Sequence, residues 1–300
     1  MGEPVWGRTE QWPKGVSKMA VHAIAVIGAG AIGSGIAQVA AVAGLGVTLI
    51  EVSDAVVEKG LDRVRGNLQK LVAKGKMTRA DKDAALGSIR GTTALEDVAP
   101  ADVVIEAVTE NYDIKLDLLQ RVDALVRAET IIASSTSSIS ITKLAAAISH
   151  PDRFIGMHFF NPVPVMALVE IVRGLQTTDA THDMAEALAL QLGKSPITVK
   201  SGPGFLVNRI LLPMINEAFF VLAEGDANAT EIDEGMTLGC NHPMGPLALA
   251  DLIGLDVLLA VMQTIHDEFG DSKYRPCPLL REMVAAGYLG RKTRRGVYRY

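Results

Sequence analysis

One stretch limits what this chain can fold into. Ala23 to Ile27 is an apolar run, followed by Gly28-Ala29-Gly30-Ala31-Ile32-Gly33, by a small-residue segment from Ser34 to Ala43, and by a second apolar run, Val47 to Ile50, that ends in Glu51. The order reads strand, glycine turn, helix, strand, acid. A lone G-x-G-x-x-G is a weak signal. One that follows a strand, opens a helix and meets an acid about 20 residues on is a dinucleotide-binding βαβ unit. Gly28 permits the tight turn, Gly30 lets backbone approach a pyrophosphate, and Gly33 lets the helix pack close to the sheet. The free N–H groups and positive dipole end of the helix then attract the diphosphate, which places Gly28, Ala29, Gly30, Ala31, Ile32 and Gly33 around it. Glu51 is placed to accept hydrogen bonds from both ribose hydroxyls and to repel a 2′-phosphate. The expected cofactor is therefore NAD rather than NADP.

With 300 residues, 49% of them hydrophobic, the chain has ample core material and a length that favours two domains. A net charge of −5 argues against a general nucleic-acid binder. Two cysteines, Cys240 and Cys277, supply neither a disulfide framework nor a metal cluster, so no metal site and a reducing, cytoplasmic compartment are expected. Residues 1–18 carry no apolar run, read as an unstructured or added leader, and are not a secretory signal. No uncharged apolar segment reaches 18 residues, so no membrane span is expected.

After Glu51, Asp54 is expected to cap a helix whose apolar positions Val57, Leu61, Val64, Leu68 and Leu71 keep helical spacing. Its other face is charged, with Lys59, Arg63, Arg65, Lys70 and Lys74 among its residues. A second helix starts at Thr78 to Asp81, so this region reads as a helical hairpin projecting from the sheet. It presents either a solvated charged face or a basic surface for a phosphate-bearing substrate handle. Strand signals recur at Ser88 to Arg90, Asp102 to Ile105, Thr130 to Ala133, Arg153 to Phe160, Ala167 to Val172 and Ile197 to Val199. Helical segments Ile114 to Leu125, Ile141 to Ile148 and Thr181 to Leu192 lie between them. Ligands of open parallel sheets lie beyond the carboxyl ends of the strands. Ala107, Glu110 and Lys115 are therefore expected near the second ribose and the nicotinamide. The hydroxyl run Ser134-Ser135-Thr136-Ser137-Ser138 is expected beside them, one hydroxyl facing substrate and another capping the helix at Ile141.

His158 and Glu170 fall on neighbouring apolar strands. Alone, each has an ordinary explanation, a satisfied core histidine or a solvent-facing acid. Together beside a nicotinamide pocket they form a candidate acid/base pair, the carboxylate orienting the imidazole and stabilising its charged form. Ser201-Gly202-Pro203-Gly204 reads as a hinge. It divides the chain into a Rossmann-type doubly wound parallel sheet domain with the inserted hairpin, residues 19–202, and an all-α domain, residues 203–300. The helical part comprises Phe205 to Leu222, with Asn208 in its first turns, a helix opening at Thr230 to Asp233, and a continuous apolar helix from Pro246 to Met262. That much apolar length in about 100 residues points to a homodimer interface. The basic tail from Leu289 to Tyr298 reads as a solvated segment or a cap over an anionic ligand.

These motifs together resemble the 3-hydroxyacyl-CoA dehydrogenase family, most of all its short bacterial 3-hydroxybutyryl-CoA dehydrogenases, over roughly Met19 to Tyr300. The resemblance rests on Gly28 to Gly33, Ala133 to Ser138, Gly156-Met157-His158-Phe159-Phe160-Asn161-Pro162, Leu168-Val169-Glu170, Gly202 to Arg209, and Gly245-Pro246. It implies His158 as catalytic base with Glu170 as partner, and Ser137 and Asn208 on the C3 oxygen of a 3-hydroxyacyl-CoA or acetoacetyl-CoA. It implies Glu51, Glu110, Lys115, Ser137, Asn161 and Lys292 around NAD, and Asn67 and Lys74 near the CoA moiety. It places the thiol and imidazole of Cys240 and His242 away from the chemistry. The chain departs from the family pattern at Ser135, usually Asn, at Glu51, usually Asp, and at Arg294-Arg295, where the family continues with Gly. Two other readings remain at this stage: a dehydrogenase of 3-hydroxy acids lacking CoA, and a non-catalytic NAD-binding protein of the crystallin kind.

Overall fold

The computed structural model describes residues 21–300, so the leader expected at 1–18 lies outside the described residues. The opening stretch folds as β1 (Ala23–Ile27), α1 (Ala31–Val42) and β2 (Gly46–Ile50). There follow α2 (Asp54–Ala73), α3 (Arg79–Gly87), β3 (Ile89–Thr92), β4 (Val103–Glu106), α4 (Tyr112–Leu125) and β5 (Ile131–Ser134). Next come α5 (Ile141–Ala145), β6 (Phe154–Phe159), β7 (Leu168–Arg173), α6 (Asp179–Gln191) and β8 (Ser195–Lys200). The eight strands form one sheet in the order β3-β2-β1-β4-β5-β6-β7-β8. Every pairing is parallel except β6 with β7, so β7 and β8 run against the rest. The sheet is thus mostly, not wholly, parallel. The order reverses between β1 and β4, which opens a crevice at their carboxyl ends, where such sheets bind ligands.

Alternation along the strands builds two cores. Ile24 and Val26 of β1 join Ile36 and Ala37 of α1, Val64 and Leu68 of α2 and Leu188 of α6 on one face. Ala25 and Ile27 join Leu119 of α4 and Leu144 of α5 on the other. Successive strand side chains point to opposite faces, so strands covered on both sides carry near-continuous apolar runs. A third core belongs to the helices that follow: α7 (Val207–Glu224), α8 (Ala229–Gly239), α9 (Pro246–Ile253), α10 (Leu255–Phe269) and α11 (Pro278–Ala285). It contains Ile215, Phe219, Leu247, Leu258 and Met262.

Several local expectations change. The hairpin of α2 and α3 does not project freely. Val57, Gly60, Val64 and Leu68 are buried along α2, and Val64, Leu68 and Ala85 of α3 pack in the core with α1. Ser53, not Asp54, occupies the cap position of α2 and makes no side-chain capping bond, while Asp54 supplies first-turn negative charge. The cap of α5 comes from Ser140, just beyond the hydroxyl run, whose side chain accepts from the Lys143 N–H, and α5 ends at Ala145 instead of Ile148. The helix expected over Phe205 to Leu222 is α7, two residues further along at each end. The single helix expected from Pro246 to Met262 is two, α9 and α10, meeting at 98°. Gly254 causes the break with φ of +103°, a left-handed backbone that only glycine adopts cheaply. Apolar spacing continues across the break because both helices bury one face in the same core. No single helix among the described residues is long and apolar enough to cross a membrane.

Replacing Gly254 with Ala is expected to lower unfolding free energy by about 1–3 kcal/mol, the cost of forcing a Cβ into that backbone. Urea titration monitored by circular dichroism measures it, and an unchanged midpoint would contradict the strain at this corner.

Candidate active site

The glycine turn has the geometry its three glycines require. Gly28 has φ of +106°, and its N–H donates to the Ile50 carbonyl at 2.9 Å. A Cβ on Gly33 would stand 1.7 Å from the Gly28 carbonyl oxygen, so α1 can approach β1 only with glycine there. A Cβ on Gly30 would meet nothing within 4 Å, so this glycine faces open space at the start of α1. An opening at the N-terminus of an uncapped helix fits a pyrophosphate. Glu51 closes β2 beside the turn, its Oε1 accepting from the Ala29 N–H at 3.0 Å and its Oε2 from the Val52 N–H at 2.8 Å. The carboxylate is thus anchored at the turn, where a ribose would lie. Arg63 of α2 donates to the Ala29 carbonyl at 2.8 Å, an anchor of the turn that the sequence reading counted only as part of a charged face.

Further along the same sheet, His158 and Glu170 stand directly opposite each other in the antiparallel β6–β7 pair. Cross-strand partners share one face, and here His158 Nδ1 and Glu170 Oε2 are 2.6 Å apart. Both residues are buried, His158 at 4% exposure and Glu170 at 0%. The second carboxylate oxygen is occupied as well: Oε1 accepts from the backbone N–H of Leu206 at 3.1 Å and of Val207 at 2.9 Å. These amides begin α7, so Glu170 ties the sheet to the first helical turn that carries Asn208. The imidazole packs against Phe160 and Phe205, with ring centroids 4.6 and 5.5 Å away. With Nδ1–H donating to the carboxylate, Nε2 keeps its lone pair for proton transfer.

Between the turn and this pair lies the hydroxyl loop, held by one acid. Glu110 Oε1 accepts from Thr136 Oγ1 at 2.6 Å, from the N–H groups of Ser137 and Ser138 at 3.0 Å each, and from Ser138 Oγ at 2.9 Å. Its other oxygen is 3.6 Å from Lys115 Nζ. Lys115 is fully buried and bonds Glu106 Oε1 at 2.5 Å, while Glu106 Oε2 accepts from Ser134 Oγ at 2.6 Å. The ammonium expected at the cofactor is therefore enclosed beneath the loop, bound to Glu106. In the sequence Glu106 is only the polar residue that follows the strand signal Asp102 to Ile105. Its signal was an acid closing an apolar strand nine residues before a lysine. Ser137 and Ala107 remain half-buried along this edge, and Ser135 Oγ, where the family pattern has Asn, is buried without a hydrogen-bond partner.

The other expected residues scatter more widely. Asn161 is exposed just after β6 and precedes a cis proline, Pro162. Lys194, which the sequence reading did not single out, holds the connection that follows by donating to the carbonyls of Val163 and Met166 at 2.5 and 2.9 Å, and burial lowers its basicity. Asn67 Nδ2 donates to Gln38 Oε1 at 3.2 Å, and Lys74 is exposed at the end of α2. Lys292 pairs with both oxygens of Asp256 in the first turn of α10, at 2.5 and 2.6 Å. Burial works to raise that carboxyl, but the Lys292 hydrogen bond and charge outweigh it and leave Asp256 below the usual range. The basic tail is pinned by its backbone, Asp251 accepting from the N–H groups of Val297 and Tyr298 at 2.9 Å each, while Arg291, Lys292, Arg294 and Arg295 are exposed. Burial, then the bond to Asp233, raises the Tyr298 phenol far above its ordinary value. Cys240 is exposed. No cluster of three or more metal-ligating acids, histidines or cysteines occurs among the described residues.

A dinucleotide turn at the switch point of the sheet, with a helical domain packed on its edge, defines a two-domain NAD-dependent oxidoreductase. The model of the 3-hydroxyacyl-CoA dehydrogenase NAD-binding domain matches residues 23–202, and that of the same family's C-terminal domain matches residues 204–300. The chain belongs to the 3-hydroxyacyl-CoA dehydrogenase family. It is 50% identical over 280 residues to the 3-hydroxybutyryl-CoA dehydrogenase of Bradyrhizobium diazoefficiens, covering 93% of this chain and 96% of that protein. It is 39% identical to the human mitochondrial hydroxyacyl-coenzyme A dehydrogenase, covering 94% of this chain and 92% of the other. The crystal structure of (S)-3-hydroxybutyryl-CoA dehydrogenase from Ralstonia eutropha superposes with a TM-score of 0.92 at 63% identity, covering 94% of this chain and 99% of the other.

Glu110→Ala removes the acceptor of four hydrogen bonds and is expected to lower kcat/KM by about ten- to a hundredfold, with Glu110→Gln recovering part of it. Steady-state kinetics of the two variants check this, and parity of Glu110→Ala with wild type would show that the serine loop holds itself.

Proposed function

We propose that this enzyme reversibly oxidises (3S)-3-hydroxyacyl-CoA to 3-oxoacyl-CoA with NAD, acting on short chains of the 3-hydroxybutyryl-CoA class. The observation that carries the reading is the buried, in-register contact of His158 with Glu170, 2.6 Å apart at the sheet edge that also carries the glycine turn. Residues 28–33 and the start of α1 hold the pyrophosphate of NAD, Glu51 holds its adenosine ribose, and Ala107, Ser137 and Asn161 lie along the rest of it. Glu110 and Lys115 act on this edge from beneath, through the serine loop. When bound, NAD supplies the hydride acceptor.

His158 Nε2 takes the proton of the C3 hydroxyl as the C3 hydride departs, leaving a carbonyl at C3 and an imidazolium. Glu170 stabilises that imidazolium through Nδ1–H, and its two backbone donors from α7 keep it oriented. Ser137 and Asn208 donate to the C3 oxygen and fix the geometry in which proton and hydride leave together. In reverse, His158 protonates the oxygen of acetoacetyl-CoA as it becomes an alkoxide. The half-buried Phe160 and buried Phe205 beside the ring help exclude water. Asn67 and Lys74 of the hairpin contact the CoA moiety, and Lys292 approaches the cofactor once it leaves Asp256. The chain works as a sheet domain, residues 19–202, and a helical domain, residues 203–300, through which two copies pair. Exposed Ile210, Leu238, Leu252 and Val257 on the helical domain support that pairing.

The deciding assay is NADH consumption with acetoacetyl-CoA compared with free acetoacetate. Turnover of the thioester alone supports the reading, and no turnover of either refutes it. His158→Ala is expected to reduce turnover by about 10²–10⁴ with NADH affinity nearly retained. Unchanged turnover would end the assignment of the base. Glu51→Gln or Glu51→Arg should erode the preference for NAD over NADP, and an unaltered ratio of kcat/KM for the two cofactors would count against its ribose role.

A further inference from the structure

One buried cation takes no part in the chemistry described above. Lys194 lies in the turn between α6 and β8 and is 7% exposed. No carboxylate among the described residues pairs with it, and burial alone acts on its basicity. A buried ammonium is costly unless its donors are used. Two of the three go to backbone, to the carbonyls of Val163 and Met166 at 2.5 and 2.9 Å.

Those carbonyls belong to residues 160–167, which join β6 to β7 and so link the strand of His158 to the strand of Glu170. β6 runs parallel to β5, so the connection leaves the sheet at its carboxyl edge, and Asn161 is the second residue beyond the strand. The amides of Val165 and Met166 both donate to the Pro162 carbonyl, at 2.9 and 3.0 Å, which closes a single helix-like turn. Such a turn leaves its later carbonyls without an amide partner, and Lys194 supplies their donor. On another side the connection sits on α1. Val163 is 1% exposed, and a Cβ on Gly35 would stand 2.8 Å from the Cβ of Val163, so helix and connection touch where only glycine fits. Gly35 comes two residues after Gly33, the end of the dinucleotide turn. One ammonium therefore fixes a segment that touches the helix of the cofactor turn and continues the strand of the base. Asn161 itself is exposed, so the backbone that follows it, not its own packing, sets its place.

We propose that Lys194 is a positioning residue for the cofactor: by holding residues 162–166 against α1 it sets where Asn161 stands along NAD. The proposal rests on the placement of Asn161 beside the cofactor. Loss of the ammonium leaves two carbonyls unpaired, loosens the connection and weakens NADH binding. Proton transfer at His158 continues, because Glu170 still holds the ring.

The test combines NADH fluorescence titration, steady-state kinetics with acetoacetyl-CoA, and thermal unfolding. It uses wild type, Lys194→Met, Lys194→Gln and Lys194→Arg. Lys194→Met should raise the Kd and KM for NADH about tenfold while kcat at saturating NADH stays within about threefold of wild type. Lys194→Arg, which keeps charge and donors, should restore most of the affinity. A lowered unfolding temperature with an unchanged Kd for NADH marks a merely structural residue and overturns the proposal. A fallen kcat with NADH affinity retained also overturns it, and assigns Lys194 to the His158–Glu170 pair. Should Lys194→Met fail to fold, Lys194→Gln, which keeps an amide donor, is judged by the same Kd. The titration needs no substrate, so a wild type that binds NADH but leaves acetoacetyl-CoA unreduced removes the proposed reaction and leaves this test standing.

Discussion

Glu170 has no exposure to solvent, and a carboxylate so placed persists only if its neighbours replace water. Three groups do so: the imidazole of His158 on the facing strand and two backbone N–H groups at the start of α7. One buried carboxylate thereby fixes the imidazole ring of His158 and docks the start of α7 against the sheet. The N-terminal end of α7, where those two amides lie, also carries partial positive charge. Loss of this carboxylate would release both at once.

The same device recurs wherever a loop must be held. Glu51 gathers the amides of Ala29 and Val52 at the glycine turn. Glu110 gathers two amides and two hydroxyls of the serine loop. Asp233 takes the amides of Leu247 and Ala248 at the start of α9, and Asp251 takes those of Val297 and Tyr298 in the tail. Loop amides have no ladder partner, and an ionised acceptor forms stronger bonds to them than a neutral one. Acids that read as scattered in the sequence are thus the fasteners of the loops that line the cleft. Lys194 does the complementary task, an ammonium holding the two carbonyls of the β6–β7 connection.

Much of the fold was legible because it rests on local patterns. The glycines at 28, 30 and 33 announced a βαβ unit; at 28 and 33 a Cβ would strike backbone, and at 30 it would meet open space. The eight strands fell where apolar runs placed them, within a residue or two at most ends. Misreadings came where spacing stays silent. Apolar periodicity runs through Gly254 unbroken, and only the left-handed backbone there shows that one helix is two. Ser140 caps α5, while the hydroxyls of Thr136 and Ser138 before it are engaged by Glu110, a residue 26 or more positions away in the chain. Lys115 reads as a surface cation near a cofactor, yet it is sealed against Glu106.

The sequence by itself determined the class of fold, the strand–glycine turn–helix unit and the family, since these depend on residues close together in the chain or on short motifs. It also named His158 and Glu170 as a pair, because two polar residues on adjoining apolar strands require one another. Only the tertiary structure decided that β7 runs antiparallel to β6 and so sets those side chains opposite each other, and that the acid also grips α7. Strand direction and inter-domain contact are properties of packing between distant segments, where the cost of burying a charge selects one arrangement that no local pattern encodes.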